Sequence, residues 1–532
     1  MDIAALLPLF TALPLILGGV LVVGYRFQLL QDIVLFATLI GAVVASAALF
    51  PLVSDGQTLA HGIGMWGFGY AIPFVADMFA VLMLVTTAVL GLVCAWFAAA
   101  SGLTKQRFSA PLILILMAGV FGAILTGDLF NFFVCLEIML LPSYGLYALT
   151  IHSRGGSLLV GGMRLFIASN LLGSTLYMVG VGLVYGTAGS INLAELAGAA
   201  KEDPAVALAG SVCLLAMFIK ASIVPVHSWL ARTYPYTSPA ITALFSGLHT
   251  KVGVYMIYRI YAVLFDGDER FLWIMVALFS LTMVVGVLGA VGEKTTRSIL
   301  AFHMVSQLGY IMIGVALFTQ LGLAAGIFYL VHHMIVKASL FMSTGAIEVK
   351  YGTGELGKVT AMAKREPIMA VAFFVAALSL AGIPPFSGFV AKFSLMMATW
   401  EAGEVYALIV MVVVSLITLL SMLKIWGGVF WGDPKAPVPD PAAGQDPDSA
   451  HATLGGGVAT YTRADSQTMT ETNTSTATKP KSRVGFWLAA PAVITAVITL
   501  VLGVGGEYLM QFSEVAANNL MDTSSYIEAV KN

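Results

Sequence analysis

The stretch that decides the fold is residues 214–255, LLAMFIKASIVPVHSWLARTYPYTSPAITALFSGLHTKVGVY. It holds two lysines, Lys220 and Lys251, each inside an apolar run long enough to span a lipid bilayer. A cation at bilayer depth costs roughly 2.5–3.5 kcal/mol on insertion scales. Proline in a membrane helix frees backbone groups that protein or water must satisfy. Three prolines interrupt the helical pattern of this stretch: Pro225, Pro235 and Pro239. The stretch therefore predicts a hydrated polar site inside the membrane.

The composition indicates an all-α polytopic membrane protein. Of the 532 residues 59% are hydrophobic and 10% charged, and the mean hydropathy is +0.92, whereas a soluble domain has about 25% charged residues. The net charge of −2 gives no reason to expect a nucleic-acid partner. The sequence shows no hydrolase triad, phosphate loop, haem pattern or cysteine spacing for a metal or an iron–sulfur cluster. We therefore expect a transport protein without cofactor or metal, not an enzyme.

Apolar runs of about 20 residues mark membrane spans. The sequence contains fourteen such runs, which predict spans at 3–24, 29–52, 71–100, 109–126, 129–150, 162–185, 205–230, 240–262, 271–291, 297–319, 323–348, 368–398, 404–430 and 485–510.

The distribution of lysine and arginine predicts the orientation. If the N-terminus faces outside, 17 of the 26 basic residues fall in inward-facing segments, and only four in outward-facing ones. This is the bias that the positive-inside rule describes. We therefore expect a multi-pass protein of the cell (plasma) membrane with both termini external.

The chain divides into four parts. Residues 1–431 carry the first thirteen spans, and residues 484–510 the last one. Residues 432–483, rich in Pro, Gly, Asp, Thr and Ser, are predicted to be a disordered cytoplasmic linker. Residues 511–532 are predicted to be a polar external tail.

An internal echo predicts an inverted repeat. The span that ends in IKASIVPVHSWL has a counterpart at residues 379–395, because both combine a proline break with a lysine. The two lie five spans apart, and an odd separation means opposite orientations in the membrane. Transporters place ion sites at broken helices of this kind. We expect repeats of five spans over about 109–262 and 271–430, with spans seven and twelve broken.

Buried charge is out of balance in this sequence. One carboxylate, Glu137, stands near the centre of the fifth span. Ammonium groups in excess of their counter-ions are costly to bury. Some of the lysines inside the spans should therefore be neutral, or readily made so, and able to exchange protons. Two alternatives stay open: a partner subunit supplies carboxylates, or Glu137 serves structure alone. Four lysines lie far from the span ends: Lys220, Lys251, Lys337 and Lys392.

Histidines accompany the lysines, and imidazole can receive a proton on one nitrogen and release it from the other. His333 and Lys337 share one face of the eleventh span, because they are four residues apart. His332 points elsewhere and could hydrogen-bond a neighbouring helix. The predicted proton relay therefore runs through Glu137 and the four lysines with His333, and three further candidates are His227, His249 and His303.

Six segments resemble the antiporter-like subunits of respiratory complex I and of the multisubunit Mrp-type Na+/H+ antiporters, above all the D-type subunits of the latter. The resemblance covers spans four to twelve. It implies fourteen helices, two inverted five-helix repeats, and discontinuous helices seven and twelve. The segments are GDLFNFFVCLEIMLLPSYGL, IKASIVPVHSWL, SGLHTKVGVYMIYR, RSILAFHMVSQLGYI, VHHMIVKASLF and LAGIPPFSGFVAKF.

The resemblance also implies a role for each residue of the relay. Glu137 takes the place of the family's fifth-helix glutamate, Lys220 that of the lysine with which it pairs, and Lys251 that of the bridging lysine of helix eight. His333 and Lys337 would form the relay of the eleventh helix, and Lys392 would be the terminal lysine on the twelfth helix.

Two positions depart from the family pattern. Tyr329 stands where many members have another histidine, so the relay either uses its hydroxyl or is shorter. His303 stands where serine is common, which adds a titratable group. Lys392 separates this chain from the M-type subunits of complex I, which carry glutamate there, but not from the N type.

Three functions compete at this point. The first is a proton-translocating subunit of a monovalent cation (Na+)/proton antiporter that works with sister subunits in the lipid bilayer. The second is a proton-pumping membrane subunit of a complex I-type or membrane-bound hydrogenase complex. The third is a membrane scaffold with a vestigial relay.

Overall fold

The chain is a multi-pass helical membrane protein. The computed structural model describes residues 3–154, 157–436 and 483–531, so the predicted linker lies almost wholly outside the described residues. Within them, eleven helices are long and apolar enough to cross a membrane. Three shorter apolar helices join them: Ser109–Leu125, Pro204–Lys220 and Pro367–Ala381.

The first half of the described chain supplies two strands and the helices up to α10. Their bounds are α1 Leu9–Val23, α2 Gln28–Val53, β1 Leu59–Gly62, β2 Pro73–Ala76, α3 Met78–Ala100, α4 Ser109–Leu125, α5 Leu129–Arg154, α6 Ser157–Ala188, α7 Ala199–Glu202, α8 Pro204–Lys220, α9 Ser228–Thr233 and α10 Pro239–Val263.

The regular elements in the described part of the second half are all helices. Its bounds are α11 Leu272–Gly292, α12 Thr296–Leu317, α13 Gln320–Tyr351, α14 Met362–Arg365, α15 Pro367–Ala381, α16 Ser387–Glu401, α17 Val405–Ile425 with a π-helical turn at Trp426–Phe430, α18 Phe486–Val504, α19 Gly506–Met521 and α20 Ser524–Lys531.

The structure moves two predicted boundaries. The third span was predicted from residue 71, but Pro73–Ala76 forms β2, which pairs antiparallel with β1, and the helix begins at Met78. Asp77 explains this start, because its carboxylate accepts a hydrogen bond from the Ala80 N–H as a helix N-cap. The last span was predicted to reach residue 510, but α18 ends at Val504 and the tail continues as α19 and α20.

Two helices are interrupted where the sequence predicted breaks. The chain leaves helical geometry between α8 and α9, around Pro225, and between α15 and α16, around Pro384 and Pro385. Proline lacks the N–H that continues a helix, and its ring clashes with the preceding turn. The two breaks therefore follow from the sequence itself.

Three helices form the centre of the bundle. Every residue of α10 is buried, as are nearly all residues of α12 and α13. The 32-residue α13 packs against seven other helices, which are α3, α10, α12, α15, α16, α18 and α19. By contrast, α1, α2 and α17 expose apolar side chains, as helices that face lipid do. Two of these central helices, α10 and α13, carry Lys251, His333 and Lys337 of the predicted relay. The other three relay residues, Glu137, Lys220 and Lys392, lie on α5, α8 and α16.

Candidate functional site: a row of buried lysines

The four central lysines are buried in the bundle. The exposed fractions are 4% for Lys220 on α8, 0% for Lys251 on α10 and for Lys337 on α13, and 3% for Lys392 on α16. Within the described ranges, no carboxylate oxygen lies within 4.0 Å of any of these four amino groups. The amines are therefore held by neutral partners.

Lys220 is bound by an amide. Its Nζ donates a hydrogen bond to Oδ1 of Asn170 on α6, at 2.8 Å, and the Asn170 amide donates to the Phe166 carbonyl, also at 2.8 Å. Glu137 is half-buried on α5, and in the described part of the chain it neither hydrogen-bonds nor forms an ion pair with Lys220. The pairing that the family resemblance implies is thus not a direct contact in this structure.

Lys251 and Lys337 each donate to a main-chain carbonyl. Lys251 Nζ lies 2.5 Å from the Ser246 oxygen on the same helix. Lys337 Nζ lies 3.1 Å from the Leu300 oxygen on α12. A carbonyl accepts a hydrogen bond from an ammonium group or from a neutral amine alike. These contacts are therefore compatible with a lysine that gains and loses a proton.

Lys392 reaches across the second helix break. Its Nζ lies 3.1 Å from the carbonyl oxygen of Ala381, the last residue of α15, and 3.0 Å from the Ser415 hydroxyl on α17. The C-terminus of a helix carries partial negative charge, which stabilises a cation. The two half-helices approach closely here, because a Cβ atom at Gly388 would lie 1.7 Å from the Ser379 oxygen.

The two neighbouring histidines of α13 have different surroundings. His332 Nδ1 lies 2.8 Å from the hydroxyl of Ser387, which is the first residue of α16. His333 is fully buried, and neither of its ring nitrogens has a hydrogen-bond partner among the described residues. His332 thus connects α13 to the broken helix that carries Lys392, while His333 shares a helix face with Lys337.

Tyr329 and His303 extend the polar cluster. The Tyr329 hydroxyl donates to Oε1 of Gln307, and its ring stacks on that of Tyr310, with centroids 5.6 Å apart. His303 Nε2 hydrogen-bonds the Ser421 hydroxyl on α17, and its Nδ1 has no partner among the described residues. Tyr329 thus connects α13 with α12, and His303 connects α12 with α17.

The two remaining histidine candidates lie in the first half of the described chain. His249 Nε2 lies 2.8 Å from the Ser143 hydroxyl, and its ring stacks on Phe245 at 4.3 Å. Since Ser143 belongs to α5, His249 connects α10 with the helix of Glu137. His227 is half-buried at the first break, next to the start of α9.

Asn170 and Ser415, which bind two of the lysines, were not predicted from the sequence. Asn170 had a usable signal, since an amide inside an apolar span is rare unless it binds something. Ser415 had none, because serine is common in membrane helices. Lys424, outside the row, donates to the carbonyls of Val291 and Glu293 at 2.7 and 2.6 Å, and so caps the end of α11.

Comparison with known proteins identifies the family. The sequence profile described as NADH:quinone oxidoreductase/Mrp antiporter, transmembrane, matches residues 126–418. The chain belongs to this family. The matched range contains every residue of the predicted relay, from Glu137 to Lys392.

Full-length relatives agree with this family. The chain is 33% identical to the D-type subunit of the Na+/H+ antiporter of Alkalihalophilus pseudofirmus, over 97% of both chains. It is 32% identical to the corresponding D-type subunit of Bacillus subtilis, over 99% of this chain and 98% of the relative. A chain in the structure of the Mrp complex from Dietzia sp. DQ12-45-1b is 52% identical, with a TM-score of 0.91 and complete coverage of both chains.

Proposed function

We propose that this chain is a proton-translocating subunit of an Mrp-type antiporter that exchanges a monovalent cation, Na+, for protons across the plasma membrane. The observation that carries the proposal is the row of four buried lysines held by neutral partners within the described residues. A buried ammonium group without a counter-ion is energetically costly, and this cost favours release of its proton. The names of the relatives, which are D-type subunits of Na+/H+ antiporters, supply the cation and the setting of sister subunits.

In this proposal protons move laterally along the row at mid-membrane depth. Glu137 and Lys220 form one end and Lys392 the other, with Lys251 and Lys337 between them. His333 serves beside Lys337, and charge on one site biases the next by Coulomb coupling in the low-dielectric interior. Secondary positions that can hydrogen-bond the protons in transit are His227, His249, His303, His332 and Tyr329.

Water completes the proposed relay. Buried polar groups in proteins are nearly always hydrogen-bonded, and ordered water supplies the partner where protein does not. Polar atoms that no described residue satisfies lie on α10 and α13, which carry Lys251 and Lys337, and on α12. They are both ring nitrogens of His333, Nδ1 of His249 and His303, Nε2 of His332, and Nε2 of Gln307.

The proposed topology has fourteen spans, with both termini external. The eleven long helices and the three shorter apolar ones of the described residues support this count. The helix breaks after α8 and after α15 support an inverted repeat of five spans, because they stand five spans apart. The excess of basic residues in alternate connecting segments supports the orientation.

Reconstitution of the complete complex tests the proposal. Vesicles containing the complex with Glu137→Ala or Lys392→Ala should show sodium-driven proton movement reduced at least tenfold. Lys105→Ala, an exposed lysine outside the row, should leave it unchanged. Wild-type rates in both relay variants would refute the assignment.

One alternative has an observation in its favour. The matching family also includes membrane subunits of NADH:quinone oxidoreductases, so the chain could be the proton-pumping arm of a redox complex. The neighbouring genes decide between the two. Small antiporter subunits would support exchange, whereas subunits with cysteine clusters for iron–sulfur centres would support redox-driven pumping.

A further inference from the structure

An apolar groove of about 430 Å³ lies between α15 and α18, on the outer surface of the bundle. It begins at Pro367, the first residue of α15, and extends along one face of each helix. Its wall is apolar throughout, and several of its side chains are more than half exposed, among them Ile368 at 57%, Val371 at 64% and Val497 at 52%. An acyl chain fits such a surface, because it needs no hydrogen-bonding partner.

Three basic residues stand near the starts of α15 and α18, at the end of the groove that begins at Pro367, here called its mouth. Lys364 and Arg365 precede Pro367, separated from it by Glu366, and Arg483 precedes α18. A hydrogen bond of 2.8 Å from the Val484 N–H to the Glu366 carboxylate holds the start of α18 beside the start of α15. This contact brings Arg483 close to Lys364 and Arg365, although Arg483 is more than a hundred residues from them in sequence.

The cations at the mouth keep their charge available for a ligand. The nearby carboxylate of Glu366 is buried, and it already accepts hydrogen bonds from Lys350 at 2.5 Å and from the Tyr351 hydroxyl at 2.9 Å. Lys364 and Arg483 are exposed and form no ion pair within the described residues. Arg365 is fixed by bonds to the carbonyls of Pro434 and Ala436.

We propose that this groove is a binding site for an anionic phospholipid. One acyl chain lies between α15 and α18, and the phosphate is bound by Lys364 and Arg483, with Arg365 adding to the positive field. Basic sites between membrane helices bind anionic headgroups in this way. The rings of Phe486 and Trp487, the first two residues of α18, are 72% and 68% exposed, and aromatic side chains of this kind are common where membrane helices meet headgroups.

The site has a structural consequence for the relay. Its inner wall is α15, the half-helix whose last carbonyl, at Ala381, accepts the hydrogen bond from Lys392. A bound lipid would therefore support the broken helix from outside. The inference does not depend on the transport proposal, since lipid binding is measured without any ion gradient.

Native mass spectrometry tests the site. The protein is purified with its associated subunits from vesicles of phosphatidylglycerol and phosphatidylethanolamine. The wild-type protein should retain phosphatidylglycerol in preference to phosphatidylethanolamine. The Lys364→Gln/Arg483→Gln variant should retain about one phosphatidylglycerol fewer. The matched control Lys105→Gln/Lys294→Gln removes two exposed lysines away from the groove and should retain as many as the wild type.

A second variant keeps the cations and fills the groove. Val497→Trp enlarges a side chain that is already half exposed, so the fold should tolerate it, and it should also lose about one lipid. Three results would overturn the proposal: unchanged phosphatidylglycerol in both variants, equal retention of the two lipids by the wild type, or a photo-crosslinker at Val371 that captures a sister subunit instead of lipid.

Discussion

The amino group of Lys392 lies 3.1 Å from the carbonyl oxygen of Ala381, so a side chain of one half-helix closes the end of the other. The first break is closed similarly, because the Trp229 indole N–H on α9 donates to the Ile219 carbonyl on α8 at 2.9 Å. Each break thus has an N–H donor from its second half that binds the last turn of its first half. In the second break that donor is a lysine, which can also carry a proton.

Lys392→Arg should stop transport as fully as alanine does. Arginine keeps the positive charge and the donors, but it does not release its proton in proteins. We expect sodium-driven proton flux to fall at least tenfold in vesicles. The matched control is Lys424→Arg, because Lys424 only caps two carbonyls of α11 and its neighbour, a task that arginine also performs. Full activity of Lys392→Arg would show that its titration is not needed.

Asn170→Asp should slow the relay by placing a fixed anion beside Lys220. The amide oxygen now lies 2.8 Å from Nζ, and a carboxylate there would hold the ammonium group in its charged form by direct attraction. We expect at least a tenfold loss of antiport, measured in vesicles. Asn170→Ser keeps a neutral acceptor and should lose less than about threefold. Equal activity of the two variants would argue against proton exchange at Lys220.

Much of the fold could be predicted from the sequence, because hydropathy and proline act locally. Apolar runs mark helices, and the prolines at 225, 384 and 385 interrupt two of them. The start of α3 was predicted too early, because residues 73–76 are apolar enough for a span but pair with β1. A hydropathy pattern carries no information about such pairing.

The site could be predicted only as far as residue type allows. Lysine and histidine at mid-membrane depth are recognisable, since burying them is costly. Their partners were not predicted: Asn170, Ser415 and the Leu300 carbonyl meet the lysines through tertiary packing of distant segments. A carbonyl acceptor in particular has no signature in the sequence, because every residue carries one.

The connection between α10 and α11 should lose order in acid. Arg270 donates hydrogen bonds to the carboxylate of Asp268 at 2.7 and 2.9 Å, and they hold the pKa of Asp268 below its ordinary value. A carboxyl whose folded-state pKa is lowered contributes stability above its unfolded pKa of about 3.9 and loses it as the pH falls through the folded value.

Hydrogen–deuterium exchange of residues 264–271 measures this effect of Asp268. At pH 6 the wild-type segment should have higher protection factors than Asp268→Asn, and the difference should shrink as the pH falls below about 4. Glu269→Gln changes an exposed neighbour and should match the wild type at each pH. A difference that does not shrink at all between pH 6 and pH 2.5 would contradict the assignment.

Asp77→Asn should destabilise the protein because it leaves a buried guanidinium without its counter-ion. Arg259 is 3% exposed and forms two hydrogen bonds with the Asp77 carboxylate, at 2.6 and 2.8 Å. Breaking a buried pair by removing one partner costs about 3–5 kcal/mol, whereas replacing both partners costs far less. The apparent Tm of the purified complex should therefore fall in Asp77→Asn and recover partly in Asp77→Asn/Arg259→Met. Glu401→Gln, an exposed change, should leave it unaltered, and an unshifted Tm in Asp77→Asn would mean that water or another group already satisfies Arg259.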